Sequence, residues 1–487
     1  MKRLGYLTVI GLVVLAAIIA VRIAILSGAI AAEPEAEPVN EDRAALIAGR
    51  LGEAIRIKTI STGDIRSYDS GAFEEFHAFL AEAYPAAHAA MEREVVGGKS
   101  LLFRWPGSGE AAPIILLAHM DVVPVQPGTE EIWEQEPFSG AVVEGAVWGR
   151  GALDDKASLI ALMEAFEALA AEGLRPRRDI YLAFGHDEEI GGKKGAGAIA
   201  ALLAERGLRF AWCLDEGSAM VPGLLADPER PAAIISVAEK GYVSLQLTAT
   251  GASGHSSAPS GELAVFRLAR ALKALEDNPY PMELKGPAAD LLKALAPEMT
   301  GAKRFAINNL WLTGALVASS LSSEPAFDAM TRTTIAPTML RAGLKDNVLP
   351  QSATAVVNFR IHPRDSVESV IERTQEIVGE DIGISIWLDE ATDPSPVSST
   401  DTDGYRALVA AVQDVYGDDI LAAPGLTIGG TDAKHYVPLA DAAYRFLPIT
   451  FRGEDTKRLH GNNERVMIDD LYRMVRVYEE LIRAEAG

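Results

Sequence analysis

The residues of this chain that are best suited to chemistry stand where apolar runs of strand length end. Residues 114–118 are all apolar and lead directly into His119, and Asp121 follows two positions later. A metal-binding histidine needs a free lone pair, and a carboxylate that holds its other ring nitrogen fixes the tautomer. The pair is therefore compatible with a metal-binding imidazole, although a histidine two residues before an aspartate is more often an ordinary turn.

Two further apolar runs end in acidic residues. Residues 180–184 lead into Glu188 and Glu189, and residues 210–214 lead into Asp215. In open α/β sheets the working site lies beyond the carboxyl ends of the strands, so these acids should meet His119 at one edge. An adjacent pair of glutamates is usually a solvated helix start. Because Glu188 and Glu189 should lie near His119 and Asp215, we expect one of the two glutamates to bind metal and the other to accept a proton from water.

Asp154 adds the remaining requirement of such a site. It follows a glycine-bounded turn and precedes a predicted helix over 156–171. Two divalent ions that act together lie about 3.5–4 Å apart and need a carboxylate that bridges them. Asp154 is well placed to be that bridge.

The elements that must position these residues alternate between helical and strand patterns. Apolar residues recur at helical spacing over 44–57 and 73–84, and 101–107 and 113–119 have the composition of strands. This alternation predicts an α/β fold, with a mixed sheet flanked by helices. A hairpin is predicted around Glu144 and Gly145. At 487 residues the chain is too long for one core, so two folded domains are expected.

Residues 241–390 predict a second domain inserted into the first. The predicted elements are, in order, a strand, a helix, two strands, a helix and a last strand at 241–251, 263–275, 333–343, 353–363, 367–378 and 384–388. This order fits an α+β lid with a four-stranded sheet and two helices. Residues 285–321 are longer than a simple connector and predict extra helices, over the cleft or for association. The catalytic domain would then comprise 45–240 and 391–487.

The N-terminus predicts a membrane anchor. Lys2 and Arg3 precede an uncharged apolar run over 4–21, which resumes after Arg22 and continues to Ala32. The run is long enough to span a bilayer, and its positive flank predicts that the rest lies outside the cytoplasm, in the periplasm or the extracellular space. A cleaved signal peptide is the alternative, but the run is longer than a usual signal core. Residues 33–44 have the composition of a tether.

Charge and cysteine content limit the partners. The chain has 45 basic and 68 acidic residues and a formal net charge of -23, which argues against nucleic acid or anionic lipid as a partner. The single cysteine cannot form an internal disulfide and does not indicate a redox compartment.

Six motifs in order resemble one known family. HMDVVP, GRGALDDK, DEEIGG, LDEG, GHSS and RLHGNNE are similar to the motifs of dinuclear zinc metallopeptidases that include carboxypeptidase S, carnosine-type dipeptidases and aminoacylases. The resemblance runs from about residue 45 to the C-terminus. It is closest to the carboxypeptidase S branch and the related secreted N-acyl amino acid hydrolases. It implies a zinc-peptidase catalytic domain with two zinc ions per subunit.

The resemblance also implies roles for individual residues of the catalytic domain. Glu188 would be the general base, and Asp121 would orient His119, with Asp155 as a supporting neighbour of the bridging Asp154. The implied metal ligands are His119, Asp154, Glu189, Asp215 and His460.

In the lid, the resemblance implies contacts with the substrate. His255 would polarise the scissile carbonyl, and Arg360 would hold the free carboxylate through its planar fork. Without the resemblance, a strand-end ion pair is an equal reading of Arg360. The other implied substrate-binding residues are Asn347 in the lid and, in the second part of the catalytic domain, Gly429, Gly430, Thr431 and Asp432.

The implied reaction is metal-assisted amide hydrolysis. It describes a carboxypeptidase that releases a C-terminal amino acid from short peptides of the Gly-Xaa type, and equally an amidohydrolase of N-acyl amino acids. Two other classes stay open. One is a membrane-tethered binding protein without catalysis, and the other is a mononuclear metallohydrolase that needs no carboxylate grip. Family members can use a histidine from a neighbouring subunit's lid, so the resemblance allows a homodimer through this domain.

Overall fold

The computed structural model of the protein describes residues 36–62, 70–224 and 230–485. The predicted anchor over 1–32 lies outside these residues. A search of the described helices finds none that combines the length and the apolar character needed to cross a bilayer.

The described chain alternates helices and strands, as the sequence patterns predict. The helices are α1 (Glu41–Arg56), α2 (Ser70–Ala83), α3 (Pro85–Ala90), α4 (Lys156–Ala171), α5 (Ala196–Glu205), α6 (Ala264–Asp277), α7 (Pro287–Leu295), α8 (Gly301–Asn308), α9 (Leu310–Leu321), α10 (Pro325–Thr331), α11 (Val367–Val378), α12 (Asp403–Tyr416), α13 (Ala433–Tyr436), α14 (Asp455–Arg458) and α15 (Ile468–Ala484). The strands are β1 (Glu92–Val96), β2 (Ser100–Trp105), β3 (Ile114–His119), β4 (Ala141–Val143), β5 (Ala146–Trp148), β6 (Ile180–Gly185), β7 (Trp212–Val221), β8 (Ala232–Glu239), β9 (Gly241–Thr250), β10 (Gly254–His255), β11 (Thr334–Ala342), β12 (Val348–Leu349), β13 (Ser352–Ile361), β14 (Ile382–Thr392), β15 (Leu421–Thr427), β16 (Ala443–Thr450) and β17 (Arg465–Met467).

The main sheet has eight strands in the order β1-β2-β6-β3-β7-β16-β8-β15 and is mixed, as predicted. Its centre, from β6 to β16, is parallel. Helices α1, α4, α12 and α15 cover one face, and α5 and α13 cover the other. All six residues of β3 are buried, because helices cover both faces of the sheet. A strand in this position has a nearly continuous apolar sequence, as residues 114–118 do. The polar residues of the predicted site therefore lie where these strands end.

The predicted tether ends earlier than the sequence suggested. Helix α1 begins at Glu41, because the side chain of Asn40 accepts a hydrogen bond from the backbone N–H of Arg43 at 3.1 Å. Glu41 and Asp42 then occupy the first turn, where negative charge stabilises a helix. The last four residues of the predicted tether, 41–44, are thus helical.

A separate four-stranded antiparallel sheet has the order β11-β13-β9-β14. Helices α6 and α11 pack on one face of it, around Leu245, Leu247, Val357 and Phe359. Its strand and helix content agrees with the predicted lid. The predicted hairpin at Glu144 and Gly145 is also present, as the turn between β4 and β5.

The extra helices predicted over 285–321 are α7, α8 and α9. Leu291 and Leu295 of α7 pack against Ala232 of β8 and Ala423 of β15. This segment therefore covers the β15 edge of the main sheet.

Candidate metal centre

Strands β3 and β6 end side by side, and His119 pairs with Gly185 in their register. Nδ1 of the buried His119 lies 2.9 Å from the backbone carbonyl oxygen of Asp121 and 3.4 Å from its carboxylate. Nε2 lies 2.9 Å from Oδ1 of Asp154. One ring nitrogen is thus held by the backbone and carboxylate of Asp121, and the other faces the acids of the site.

Asp121 also holds the segment that carries the two glutamates. Its buried carboxylate accepts hydrogen bonds from the backbone N–H groups of Glu188, at 3.1 Å, and Glu189, at 3.2 Å. The carboxylate therefore fixes the position of Glu188 and Glu189 relative to His119.

Two groups of possible metal ligands share Asp154. The first comprises His119, Asp154 and Glu216, and the second comprises Asp154, Glu189 and His460. Nε2 of His460 lies 3.0 Å from Oδ2 of Asp154 and 3.1 Å from Glu189. Nε2 of His119 lies 3.5 Å from Glu216. Since Asp154 turns one oxygen towards each histidine, its geometry is that of a bridging carboxylate.

Glu216 stands where the sequence analysis placed Asp215. The carboxylate of Asp215 accepts hydrogen bonds from the backbone N–H groups of Glu216, at 2.9 Å, and Ala433, at 2.6 Å, and it belongs to neither ligand group. Successive side chains of a strand point to opposite faces, so only one of two adjacent acids can face the site. The structure places Glu216 on that side.

A buried ion pair that sequence reasoning missed supports both groups. Arg150 pairs with Glu464 at 2.6 Å, and Glu464 accepts a hydrogen bond from the backbone N–H of Asp154 at 3.2 Å. Arg150 also donates to the backbone carbonyl oxygens of His460 and Gly461, at 3.2 and 2.9 Å. The pair therefore connects the loop of Asp154 to the loop of His460.

Burial of several carboxylates together shifts their pKa values. Burial and the neighbouring Asp154 raise the pKa of Glu216 to about 7, and the same two causes raise the pKa of Glu189. Burial would also raise the pKa of Asp154, but hydrogen bonds from His119 and His460 hold it below its usual range. Hydrogen bonds to Asp154 and Glu189 raise the pKa of His460 to about 10. Such a concentration of buried negative charge is the electrostatic environment that a divalent cation stabilises.

The residues fit two zinc ions. Each group offers three nitrogen or oxygen ligands, which is the protein ligand number of catalytic zinc sites. Oε1 of Glu189 is buried and has no hydrogen-bond partner among the described residues. An unpaired buried carboxylate oxygen is costly unless it binds something.

Glu188 lies beside the two groups without belonging to them. It begins a single 3₁₀ turn, and Gly191 and Gly192 follow with φ of +102° and +70°. A Cβ on Gly192 would lie 2.1 Å from the carboxylate of Asp432, so this turn needs glycine there. Burial raises the pKa of Glu188 well above its usual value, with a further contribution from Asp432. A carboxylate with a raised pKa is suited to accept a proton.

The predicted lid residues are less tightly held. His255 is exposed on β10, and its Nδ1 lies 2.8 Å from Oγ of Ser257. Asn347 lies beside it, because its backbone carbonyl accepts from the N–H of Ser256 at 3.1 Å. Neither His255 nor Asn347 is part of the ligand groups.

Arg360 stacks on an aromatic ring, with its guanidinium carbon 5.0 Å from the ring centre of Tyr242. Burial lowers the pKa of this arginine. Within 36–62, 70–224 and 230–485, its guanidinium has no carboxylate partner, so the strand-end ion pair considered above is not found there. A half-buried, unpaired guanidinium can bind a substrate carboxylate.

The loop after β15 is divided between structure and surface. The backbone N–H and hydroxyl of Thr431 both donate to Glu239, at 3.0 and 3.1 Å, so Thr431 holds the loop in place. Gly430 is exposed, and a Cβ at this position would meet no atom within 4 Å beyond its chain neighbours. Asp432 is buried next to Glu188, and neither of its carboxylate oxygens has a hydrogen-bond partner in the described part of the chain.

Comparisons with known proteins show similarity to one family of peptidases. Residues 115–484 match the model of peptidase family M20/M25/M40. The chain is 37% identical to the N-fatty-acyl-amino acid synthase/hydrolase of Xenopus tropicalis over 97% of this chain and 93% of that protein. It is 30% identical to carboxypeptidase S of Saccharomyces cerevisiae over 89% and 83% of the two chains. An M20 family metallo-carboxypeptidase from Sulfolobus solfataricus has a similar fold, with a TM-score of 0.66 at 19% identity over 90% of this chain and 99% of that one.

Proposed function

The chain belongs to peptidase family M20/M25/M40 and is therefore an enzyme of the metallopeptidase and amidohydrolase type, and we propose that it releases an amino acid with a free carboxylate from an N-acyl group. The observation that carries the proposal is the pair of ligand groups that share Asp154 beside Glu188. A mononuclear site would not need a carboxylate that faces two histidines.

His119, Asp154 and Glu216 would hold one zinc ion, and Asp154, Glu189 and His460 would hold the other. When bound, two zinc ions would acidify a water molecule and polarise the amide carbonyl. Glu216 replaces Asp215 in the proposed ligand set, and Asp121 keeps its proposed role of orienting His119.

Glu188 would move the proton. It would accept a proton from the attacking water as the water oxygen bonds to the carbonyl carbon. It would then give that proton to the amine as the C–N bond breaks, which leaves a carboxylic acid and an amino acid. The hydrogen bond from its backbone N–H to Asp121 holds the backbone of Glu188 beside the two ligand groups before the substrate binds.

Arg360 and His255 would recognise the two ends of the reacting unit. Arg360 would bind the carboxylate of the leaving amino acid as a bidentate partner. His255, with Asn347 beside it, would donate a hydrogen bond to the developing oxyanion when a lid closes over the site. The exposure of His255 is compatible with action in its own subunit or across a homodimer.

The acyl side is proposed to be a fatty-acyl group. The 37% identity to the N-fatty-acyl-amino acid synthase/hydrolase extends over 97% of this chain and 93% of that protein and supports this assignment. Short peptides are the second candidate, because the similarity to carboxypeptidase S also covers most of both chains.

We also propose that the apolar run within residues 1–32 anchors the enzyme in a membrane, with the catalytic domain outside the cytoplasm. Its length and its positive flank support this reading.

The test is amino acid release by the full chain loaded with zinc. An N-fatty-acyl amino acid is compared with an N-blocked glycyl dipeptide, and Glu188→Gln is the control. We expect faster release from the acyl substrate, and a loss of about 10²–10⁴-fold in kcat for Glu188→Gln with its metal content unchanged. Preference for the dipeptide would assign a carboxypeptidase. Equal activity of Glu188→Gln would refute the proposed base.

A further inference from the structure

Helix α9 exposes an apolar face without charge. The twelve residues of the helix, Leu310–Leu321, include no acidic or basic side chain. Trp311, Leu312 and Leu316 are exposed to 60%, 52% and 71%, and their spacing places them on one side of the helix. A surface helix of a globular protein normally presents charged and polar residues to water. A contiguous apolar face of this kind indicates a binding surface.

The opposite side of α9 is already in use. Val317 is buried and packs with Leu292 of α7 and with Ala296 in the turn that follows it. Leu310 and Leu321 lie partly buried against the same cluster. Because α7 rests on the β15 edge of the main sheet, the exposed face of α9 is turned away from the protein body.

The N-terminal segment enters the fold on the side of the protein that carries helices α7 to α9. The backbone N–H of Glu37 donates to the carbonyl oxygen of Val415 at 2.9 Å, and the carboxylate of Glu37 pairs with Arg476 at 3.1 Å. Arg230 connects the other side, because it donates to the carbonyl oxygen of Asp419 and pairs with Glu298 at 3.3 Å. Glu298 lies in the turn between α7 and α8.

The length of the intervening chain limits how far these points can be apart. Val415 and Asp419 are four residues apart, so they lie within about 14 Å of each other. The apolar run of the N-terminus ends at Ala32, five residues before Glu37, and this segment spans at most about 18 Å. If the run lies in a bilayer, Glu37 and Val415 are therefore held within about 20 Å of the membrane surface, and Arg230 joins the same side of the fold to the turn between α7 and α8.

We propose that the exposed face of α9 lies in the headgroup region of the same bilayer, so that Trp311, Leu312 and Leu316 form a second membrane contact. The proposal depends on the membrane anchor of the proposed function. Tryptophan is enriched at membrane interfaces, and the exposed Lys303 lies on the preceding helix α8, where a long basic side chain can reach the headgroups. The net charge of -23 opposes anionic lipid, so the partner is a zwitterionic surface. A fatty-acyl substrate would partition into that surface, next to the enzyme.

The test uses the full chain in phosphatidylcholine vesicles. A cysteine is introduced by Leu316→Cys and labelled with a polarity-sensitive fluorophore, since the only native cysteine, Cys213, is buried. Val95→Cys is the matched control. Val95 is exposed to 50% and lies on β1, which forms the edge of the main sheet opposite to β15. We expect lipid-borne nitroxide to quench the label at 316 several-fold more than the label at 95, and aqueous iodide to do the reverse.

The outcomes separate the two proposals. A chain that is washed from the vesicles contradicts the anchor and with it the contact of α9. A chain that stays bound, with equal quenching at both positions, contradicts the contact of α9 alone. Protection of the label at 316 from iodide without quenching by lipid, increasing with protein density, would assign the face to a second copy of the chain instead. Should Leu316→Cys lose activity towards a water-soluble substrate, brominated lipid quenching of native fluorescence, compared with Trp311→Phe, makes the same decision.

Discussion

The two regions that contribute to the proposed site hold their polar residues in different ways. In the catalytic domain, Asp154 lies 2.9 Å from His119 and 3.0 Å from His460, and buried groups behind them fix their positions. In the lid, His255 is exposed and Arg360 has an aromatic ring as its neighbour. The catalytic domain has formed its site before any substrate arrives, whereas the lid presents groups that still need a partner.

The two regions can therefore use binding free energy at different stages of the reaction. Carboxylates and histidines that are already fixed need no rearrangement when the transition state forms. A half-buried guanidinium without a partner gains its hydrogen bonds only when a carboxylate binds. In the proposed function, the catalytic domain thus supplies the chemistry and the lid supplies selection. The following variants test that division.

The largest expected effect is on the support of the catalytic domain. Glu464→Gln keeps the shape of the side chain but leaves the buried Arg150 without its ionic partner. Removing one partner of a buried pair costs about 3–5 kcal/mol, so the thermal unfolding temperature should fall clearly. Glu94→Gln is the matched control, since Glu94 and its partner Arg206 are both exposed, at 47% and 40%. Equal unfolding temperatures of Glu464→Gln and the wild type would show that the ion pair of Arg150 and Glu464 does not stabilise the catalytic domain.

The meeting of His119, Glu189 and the acids of β7 could be predicted from sequence because strands β3, β6 and β7 are parallel neighbours whose apolar runs end at one edge of the sheet. Each apolar run marked a buried strand, and the first polar residues after it marked the site. The choice between Asp215 and Glu216 could not be made in this way, because a shift of one residue reverses the direction of the side chain. The support by Arg150 and Glu464 was also invisible, since 314 positions separate the two residues and no local pattern links them.

The next effect sharpens that choice. Glu216→Gln removes a proposed ligand, whereas Asp215→Asn changes the neighbouring carboxylate that accepts from backbone N–H groups. Changes behind the ligands typically cost 10–100-fold in metal affinity, so loss of a ligand should cost about 100-fold or more. We expect Glu216→Gln to retain about one zinc ion by mass spectrometry of the metal content and Asp215→Asn to retain two. The opposite result would return Asp215 to the ligand set.

The lid could be predicted from sequence only at the level of its elements. The order of strands and helices from 241 to 390 was enough for a four-stranded sheet with α6 and α11. The placement of α7 on β8 and β15 was not predictable, because its apolar face fits either domain equally well. The environment of Arg360 also depends on Tyr242, which is adjacent only through the pairing of β9 and β13.

A smaller effect is expected for carboxylate binding by the lid. Arg360→Ala removes a charge-assisted bidentate contact, which is worth about 1.5–3 kcal/mol, or roughly 10–150-fold in kcat/KM. The wild type and Arg360→Ala are both measured on a substrate whose leaving amino acid is amidated. The two enzymes should be nearly equal on that substrate, because it has no carboxylate to lose. If the variant loses as much activity there, Arg360 acts on the fold rather than on the substrate.

The smallest effect is expected for an ion pair that joins the catalytic domain to the lid, between Lys193 and Glu390 at 3.2 Å. Lys193 follows the glycine turn after Glu188, and Glu390 lies on β14, so the pair could in principle set the position of the lid. Both side chains are exposed, at 67% and 50%, and such pairs contribute below about 1 kcal/mol. We therefore expect Glu390→Gln to change kcat and KM by less than about threefold. Adding about 0.5 M salt should change kcat and KM of the wild type by no more than this. A larger, parallel change in kcat and KM would mean that the pair controls a closing motion. In that case the lid would be positioned before substrate binds, and its difference from the catalytic domain would be one of degree.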